Sequence, residues 1–408
     1  MKVKVSCGML LGILQLLSIS TASACDEINQ FLLGAVAATE QLVPVRTHTD
    51  YGGINTWFEG MEMRYSGSDS DKHDIGFRAR PKFNGERAAE HQLASLGEAR
   101  QSLDSTELLS NELERRYLLL IEVIAERAEV ELISDRLVIA KDMNELQRSL
   151  VQTEAFDAED LQDAEFEQMQ NAQLLMLHSN RLNILLEQIG YSTDRAESAW
   201  SEGCAGTIPP LGNIVAHAES RTQQSDIALA NLDVSRLTMD LQIAEQKLAY
   251  DRSKNGSFIK FLEVKHSIDS GRSEETTFGL SIPFGVDRTG LLERERDVNG
   301  ANMSLLETQS RVALLQSQNM AELRWLLTES THLKQVANNL AQQLERLKPV
   351  GQPGLLLRLQ RKSHDQARAI KLNHIRAMRS YITWLSTGGL LVQQPLVNWL
   401  SASRPALK

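Results

Sequence analysis

The residue types that most often carry chemistry do not form a catalytic or metal-binding pattern in this sequence. It has no Walker loop, no GxSxG motif, no HExxH helix and no paired CxxC. The nine histidines are scattered, and His364 and His374 are too far apart on one helix to chelate a single metal ion directly. The sequence therefore predicts a protein that is not an enzyme and that uses no cofactor or metal ion.

The first 24 residues have the composition of an export signal. Lys2 and Lys4 precede a short apolar stretch from Met9 to Ile19, and Ala22-Ser23-Ala24 forms a small-residue cleavage site. The apolar stretch is too short to cross a bilayer comfortably. We expect residues 1–24 to be removed on export, the alternative being an N-terminal core helix.

The cysteines carry a second prediction that depends on this cleavage. Cleavage removes Cys7 and leaves Cys25 and Cys204, an even count that favours a disulfide in an exported protein. Lipidation of Cys25 as the first mature residue is the alternative. Ala22 occupies the position where a lipoprotein signal normally has leucine, so the sequence favours the disulfide.

Two short segments, residues 54–83 and 258–284, each have the pattern of a strand pair joined by a polar loop. Apolar residues occupy every second position near the end of each segment: Ile75, Phe77, Ala79, Pro81 and Phe83, then Phe278, Leu280, Ile282 and Phe284. Arg78 and Arg80 form a basic row on the opposite face of the first segment. Strands of about ten residues are long enough to cross an outer membrane when tilted. A small soluble β-subdomain above a helical bundle is the alternative.

The two strand segments also indicate an internal duplication. Each ends in a proline, and the offset from Pro81 to Pro283 is 202 residues, about half of the 408-residue chain. Each is followed by a long stretch without proline. We therefore divide the mature chain into two structural repeats, residues 25–203 and 204–408.

Long helices are predicted to fill most of both repeats, because proline occurs only at a few separating positions. The predicted helices cover residues 86–151 and 155–190 in the first repeat, and 215–252, 288–348 and 355–385 in the second, before a C-terminal tail. One stripe in the fourth helix repeats every seven residues, which favours coiled-coil packing: Leu305, Val312, Asn319, Leu326, Leu333, Leu340 and Leu347. At about 1.5 Å per residue the longest helices reach roughly 90–100 Å, so they must pack against similar helices.

The bulk composition agrees with this architecture and excludes one class of partner. Aromatic residues make up only 5% of the chain, which suits long helices better than a β-sandwich. The formal net charge is −10, and no basic strip with interspersed aromatics occurs, so nucleic acid is not expected as a partner.

In the order of these elements the chain resembles the TolC family of outer-membrane efflux channels. The most specific segments are Ile75–Pro81 and Gly279–Phe284, which resemble the family's proline-ended strand before a long helix. Pro349–Gly354, followed by Leu355–Leu359, is similar to the family's glycine turn before its return helix. The individual motifs are loose, and the resemblance depends on their order and spacing.

The resemblance implies a mainly α fold with a small β part. Its duplicated long helices would form a coiled-coil tunnel, and four strands per protomer would contribute to a trimeric transmembrane β-barrel. It also implies a location in the outer membrane, with the helices in the periplasm. The partners would be two further copies of the chain, a periplasmic adaptor protein, an inner-membrane transporter and outer-membrane lipid. The channel itself would perform no catalysis.

The resemblance also indicates which residues would contact these partners. The candidates for adaptor or pump contact lie in the two helical turns: Gln152, Phe156, Asp157, Val350, Gly351 and Gly354. The gate candidates are the charged residues nearby: Asp157, Asp160, Arg358 and Arg361. Arg78 and Arg80 would face the water-filled lumen. For each tip residue the alternative is an ordinary solvated turn or helix position.

Two further expectations concern the strands. Aromatic residues at both strand pairs are expected to form membrane girdles, the alternative being a small core: Trp57, Phe58, Tyr65, Phe77, Phe258, Phe261 and Phe278. Simple alternation places Glu59 on the same face as Trp57, Met61 and Met63, so a carboxylate is expected among apolar side chains. The stretch before the first strand pair, residues 26–51, differs from its counterpart before the second pair, residues 215–252, because it is shorter and contains Pro44.

The sequence thus favours an outer-membrane channel of a tripartite export system. A periplasmic coiled-coil scaffold, or an adaptor-like protein without a pore, is the second hypothesis. The second is less favoured because no separate β-rich domain flanks a single helical hairpin. The exported substrate and the partner pump are not encoded in any pattern that the sequence shows.

Overall fold

The computed structural model describes residues 28–41, 57–67, 72–153, 156–193, 208–224, 231–256, 259–269, 272–282, 288–350, 352–402 and 407. In the first repeat, helix α1 covers residues 28–41, strands β1 and β2 cover Phe58–Gly67 and Lys72–Pro81, and helices α2 and α3 cover Asn84–Leu150 and Ala158–Thr193. In the second, helices α4 and α5 cover Leu211–Gln224 and Leu232–Asn255, strands β3 and β4 cover Phe261–Asp269 and Arg272–Ser281, and helices α6 and α7 cover Arg288–Leu347 and Pro353–Thr387.

The two longest helices, α2 and α6, contain 67 and 60 residues. They occupy the proline-free stretches that the sequence indicates, because no residue inside them removes a helical donor. Each ends with an arginine in its last turn, where a cation interacts favourably with the helix dipole. The heptad stripe of α6 is buried or half-buried at every position from Leu305 to Leu347, as its spacing predicts.

One helix boundary differs from the prediction. The expected single helix over residues 215–252 is two helices, α4 and α5, and the expectation of one continuous helix is wrong. Asn231 immediately precedes α5, is buried, and donates a hydrogen bond from Nδ2 to the Thr387 carbonyl oxygen over 2.6 Å. Asparagine is a favoured residue at helix starts. Here its side chain binds the last residue of α7, so the helix break lies beside the end of α7.

The described residues divide into two compact units that cut across the sequence repeats. The core unit comprises the described residues of 1–42, Glu107–Asn231 and Val312–Lys408. The sheet unit comprises those of 43–106 and Leu232–Arg311. Each unit combines corresponding parts of both repeats, as expected when a duplicated chain folds on itself.

The core unit has a large apolar interior built from α1, α2, α3, α4, α6, α7 and the C-terminal tail. Its largest fully buried side chains include Phe31, Tyr117, Leu323, Tyr381 and Trp384. The tail after α7 is held there by hydrogen bonds. The Tyr117 hydroxyl donates to the Val397 carbonyl oxygen over 2.7 Å, and burial raises the pKa of Tyr117.

The sheet unit contains the four strands, which form one antiparallel sheet in the order β1-β2-β3-β4. The pairing of β2 with β3 joins the two sequence repeats, with Phe77 opposite Val264 and Arg78 opposite Glu263. Strands β1 and β4 lie at the two edges, and neither has a second partner strand among the described residues. The sheet is therefore open at both sides within one chain.

Candidate functional site

One face of the sheet is apolar across all four strands. The cross-strand rows place Met61 beside Ala79, Leu262 and Leu280, and Met63 beside Phe77, Val264 and Phe278. Ten large side chains of this face are exposed in the single chain: Met61, Met63, Tyr65, Ile75, Phe77, Leu262, Val264, Ile268, Phe278 and Leu280. An exposed apolar patch that spans a whole sheet marks an interaction surface for lipid or protein.

The opposite face of the sheet is charged, and most of its charges are paired. Arg78 Nη2 lies 3.5 Å from Glu263 Oε2, and Lys265 Nζ lies 2.7 Å from Asp74 Oδ2. Along β1, Arg64 and Glu62 are 2.8 Å apart. The sequence predicts a basic row at Arg78 and Arg80, but the structure shows a charge-balanced face because neighbouring strands supply the carboxylates.

Glu59 is the clearest correction on the sheet. The prediction that it shares a face with Met61 and Met63 is wrong, because the register of β1 shifts between Phe58 and Gly60. The extra residue turns the Glu59 side chain to the charged face. There it forms ion pairs with Arg80 and with Lys254 Nζ, the latter at 2.9 Å.

The predicted aromatic girdle divides between the two faces. Tyr65, Phe77 and Phe278 lie on the apolar face. Phe261 instead lies on the charged face, where the Arg78 guanidinium sits 3.6 Å from its ring centroid, so its assignment to the girdle is wrong. Trp57 lies just before β1 under the guanidinium of Arg87, and Phe58 opposes Pro81 across the strand pair. Phe258 is outside the described residues.

The first helical turn connects α2 to α3. Gln152 and Val151 are exposed there, and the Phe156 amide donates to the Thr153 carbonyl oxygen over 3.2 Å. Asp157 lies just before α3, and its Oδ1 accepts a hydrogen bond from the Glu159 amide over 2.9 Å. The structure therefore gives Asp157 a capping function at the start of α3.

The second helical turn connects α6 to α7. A single 3-10 turn covers Lys348–Val350, and Pro353 begins α7, where its missing amide hydrogen has no cost. Gly354 lies close to the end of α2: a Cβ at this position would meet Leu146 Cδ2 at 3.7 Å. Gly351 is outside the described residues.

Two of the predicted gate residues come together. Arg358 Nη2 of α7 lies 3.6 Å from Asp160 Oδ2 of α3. Arg361 does not join this pair, but its Nη1 binds Glu167 Oε2 at 2.8 Å. Asp157 takes part in neither ion pair.

These contacts belong to a longer row of ion pairs that sequence reasoning missed. We call it the α7 seam: the pairs Arg358–Asp160, Arg361–Glu167, Arg368–Glu129 and Lys371–Glu131, together with Arg136, which bridges Glu167 and Asp365. Arg368 binds both carboxylate oxygens of the largely buried Glu129, at 2.9 and 3.2 Å from Nε. The signal was present in the sequence as basic residues at helical spacing in α7 and acidic ones in α2 and α3.

Several sequence predictions lie outside the described residues. These are the export signal of residues 1–24 and both cysteines of the proposed disulfide, Cys25 and Cys204. Within the described part of the chain, no group of three or more histidine, cysteine or acidic side chains is arranged to hold a metal ion. Nor does any described helix combine the length and apolar character that a bilayer crossing requires.

The fold itself has close counterparts among solved structures. Over 91% of this chain and 89% of the other, it matches the open state of the MtrE outer membrane channel of Neisseria gonorrhoeae, with a TM-score of 0.62 and 13% identity. It matches CusC, whose structures concern folding and transmembrane channel formation, over 90% and 92% of the two chains, with a TM-score of 0.62 and 10% identity. The match to the outer membrane protein VceC of Vibrio cholerae covers 92% and 96%, with a TM-score of 0.58 and 12% identity.

The chain has the fold of these outer-membrane channels. The fold class expected from the resemblance to the TolC family is therefore confirmed, namely long helices with four strands in one chain. Sequence comparison adds no further support, since neither a protein-family model nor a curated protein matches the sequence. At 10–13% identity the shared feature is the fold, and the matches span nearly the whole of each chain.

Proposed function

We propose that this protein is an outer-membrane channel of a tripartite export system. The observation that supports it most directly is the four-stranded sheet, which is apolar on one face, charge-balanced on the other and open at both edges. In the channel, the apolar face contacts lipid and the charged face lines water. The near-complete match to solved outer-membrane channels supports the same function.

The open edges support an assembly of several chains. In lipid, the backbone groups of an edge strand have no water to bind, so a transmembrane sheet must close into a barrel. Four strands are too few for a closed barrel, because a barrel of about eight strands already has an interior that is only wide enough to hold side chains. Three copies give twelve strands, with β4 of one copy beside β1 of the next, and we propose a homotrimer.

The charged face sets the properties of the proposed lumen. Arg78 and Arg80 line it, but each lies beside a carboxylate, Glu263 and Glu59 respectively. Charge is tolerated on a lumen face and strongly disfavoured on a lipid face. The paired charges therefore support a wide aqueous passage without strong preference for cations or anions in the barrel.

The two helical turns are proposed as the contact surface for a periplasmic adaptor protein and an inner-membrane transporter. The proposed contact residues are those predicted from the sequence: Gln152, Phe156, Asp157, Val350, Gly351 and Gly354. Turns held on rigid helices often carry binding functions. The energy for export would come from the transporter, since the channel contributes a passage and no catalysis.

The gate is proposed to lie just above these turns, where α7 meets α3. Asp160–Arg358 and Glu167–Arg361 hold the start of α7 against α3. Both arginines are largely exposed, so each pair contributes about 1 kcal/mol or less and can be broken by a binding partner. Asp157 would act indirectly, by fixing the first turn of α3.

Fractionation tests this function against the scaffold hypothesis. The channel predicts that the mature chain, freed of residues 1–24, is found in outer-membrane fractions as a trimer that dissociates on heating. The Cys25–Cys204 disulfide would appear as a mobility shift on reduction. A soluble periplasmic monomer would instead support a coiled-coil scaffold without a pore.

A further inference from the structure

A buried carboxylate lies at the start of α2, in the sheet unit. Glu86 is in the first turn of this helix, and its relative exposure is 0%. Both carboxylate oxygens are buried, and neither has a hydrogen-bond partner among the described residues. Among the described residues the nearest cation is the guanidinium of Arg80, with Nη2 at 4.0 Å from Oε2, which is beyond hydrogen-bonding distance.

The charged and titratable groups that influence Glu86 come from β2 and the segment after it, from α2 and from α5. They are Arg80 at the end of β2, Lys82 in the following segment, Glu90 one turn further along α2, and Lys254 and Tyr250 on α5. The three cations have other acidic partners. Arg80 and Lys254 pair with Glu59, and Lys82 Nζ binds Glu90 Oε2 at 2.7 Å.

This arrangement disfavours a charged Glu86. A buried carboxylate needs hydrogen bonds to remain ionised, and here the donors are directed to Glu59 and Glu90. Burial is the largest influence and raises the pKa of Glu86, as does repulsion from Glu90. Arg80, Lys254 and Lys82 oppose the rise without reversing it. The same buried surroundings raise the pKa of Tyr250.

We propose that Glu86 is a proton-binding site that controls how Arg80 is shared at the junction of β2 and α2. With the proton bound, the neutral acid does not compete for Arg80 or Lys254, and both cations remain paired with Glu59. Through these two ion pairs Glu59 connects the end of β2 to α5. When the proton is lost, the new carboxylate competes with Glu59 for Arg80, and the junction loosens. The inference concerns the folded chain and does not depend on a channel function.

The sign of the pH dependence follows from proton binding. The folded state binds this proton more tightly than the unfolded state, whose Glu86 has an ordinary pKa. Stability of the junction is therefore fully present below the ordinary glutamate pKa. It is lost as the pH rises through the raised pKa of the folded state, and it is constant above that value.

Hydrogen–deuterium exchange of the full chain in detergent tests the proposal locally. Peptides that cover residues 72–95 are compared between the wild type and Glu86→Gln, a neutral side chain of similar size, at the same pH. Comparison at equal pH removes the intrinsic pH dependence of exchange. We expect the exchange rate of the wild type relative to Glu86→Gln to rise as the pH increases from the ordinary glutamate pKa through the raised pKa of Glu86, and to level off above it.

Two further variants separate proton binding from a structural effect. Glu90→Gln removes a neighbouring carboxylate that already has a cation partner, and it should keep the pH dependence. Arg80→Gln removes a cation that lowers the pKa of Glu86, and it should move the pH midpoint upward.

Three results would overturn the proposal. One is a rate ratio between wild type and Glu86→Gln that does not change with pH. Another is a Glu86→Gln protein that is unprotected or unfolded at every pH, which would show that the ionised form is required. The last is a ratio that follows the concentration of added Na⁺ or Ca²⁺ and not the pH, which would indicate a bound cation.

Discussion

In the core unit buried large apolar side chains outnumber exposed ones, whereas in the sheet unit exposed ones outnumber buried ones. Of the buried apolar side chains among the described residues, all but five belong to the core unit. The five in the sheet unit are Ala79, Ala89, Val234, Leu248 and Leu305. Burial of apolar surface is the main favourable contribution to folding. In a single chain the sheet unit therefore gains much less of this stabilisation than the core unit does.

The two units therefore obtain their stability in different ways. The core unit is held by its own interior and by the α7 seam. The sheet unit has its apolar residues arranged in continuous rows on one face, which requires an apolar surrounding. Lipid on that face and further copies of the chain at β1 and β4 would supply it.

The largest effect is expected from truncation inside the core unit. Trp384 has 0% exposure and stacks on Tyr381, with ring centroids 6.2 Å apart. Trp384→Ala should lower the free energy of unfolding by about 3–5 kcal/mol because it leaves a cavity. Trp57→Ala, at an exposed site of the sheet unit, should cost about 1 kcal/mol or less, the contribution of its Arg87 contact. Denaturant titration followed by circular dichroism measures both, and equal losses would refute the contrast.

A charge on the apolar face of the sheet should have the next largest effect. Phe278 is 80% exposed in the single chain, so an aqueous site would tolerate Phe278→Arg. In lipid the same change should destabilise the folded protein by about 2–4 kcal/mol. The adjacent Thr277 lies on the charged face, and Thr277→Arg is the matched control with little expected effect. Urea titration in lipid vesicles distinguishes the two sites, and equal stabilities would place both faces in water.

Loss of one seam pair should have the smallest effect of the three. Glu129→Gln removes the charge from a carboxylate that binds Arg368 at two oxygens. Arg368 is 42% exposed, so screening limits the expected loss to about 1 kcal/mol at low salt, with less at high salt. Glu131→Gln at the exposed pair with Lys371 should cost less than about 0.5 kcal/mol. Chemical denaturation at two salt concentrations measures both losses, and a loss at Glu129 that salt leaves unchanged would argue against an electrostatic seam.

Periodicity made most of the fold predictable. The period of seven in α6 and the alternation in β2 and β4 depend only on which residues share a face, so they identify both elements and their apolar sides. Glu59 escaped this reasoning because a single bulge reverses the alternation after Phe58. The break before α5 also escaped, because the partner of Asn231 is the distant end of α7.

The candidate site was less predictable, because its contacts depend on how separate helices align. Asp160 and Arg358 were both identified, but the sequence could not show that Arg361 binds Glu167. The charges of the sheet were misjudged for a similar reason. Arg78 and Arg80 were visible as a basic row, while their acidic partners lie on β3 and β1. Glu86 resembled an ordinary acidic residue in the first turn of a helix.

Planar-bilayer conductance of the purified, detergent-extracted mature protein, with its mass measured in the same preparation, is the decisive test of a shared transmembrane barrel. We expect stable single-channel steps from a trimer, with Phe278→Arg lowering the yield of channels and Thr277→Arg preserving it. A monomer without conductance would contradict the claim that the apolar face of the sheet contacts lipid in a shared barrel.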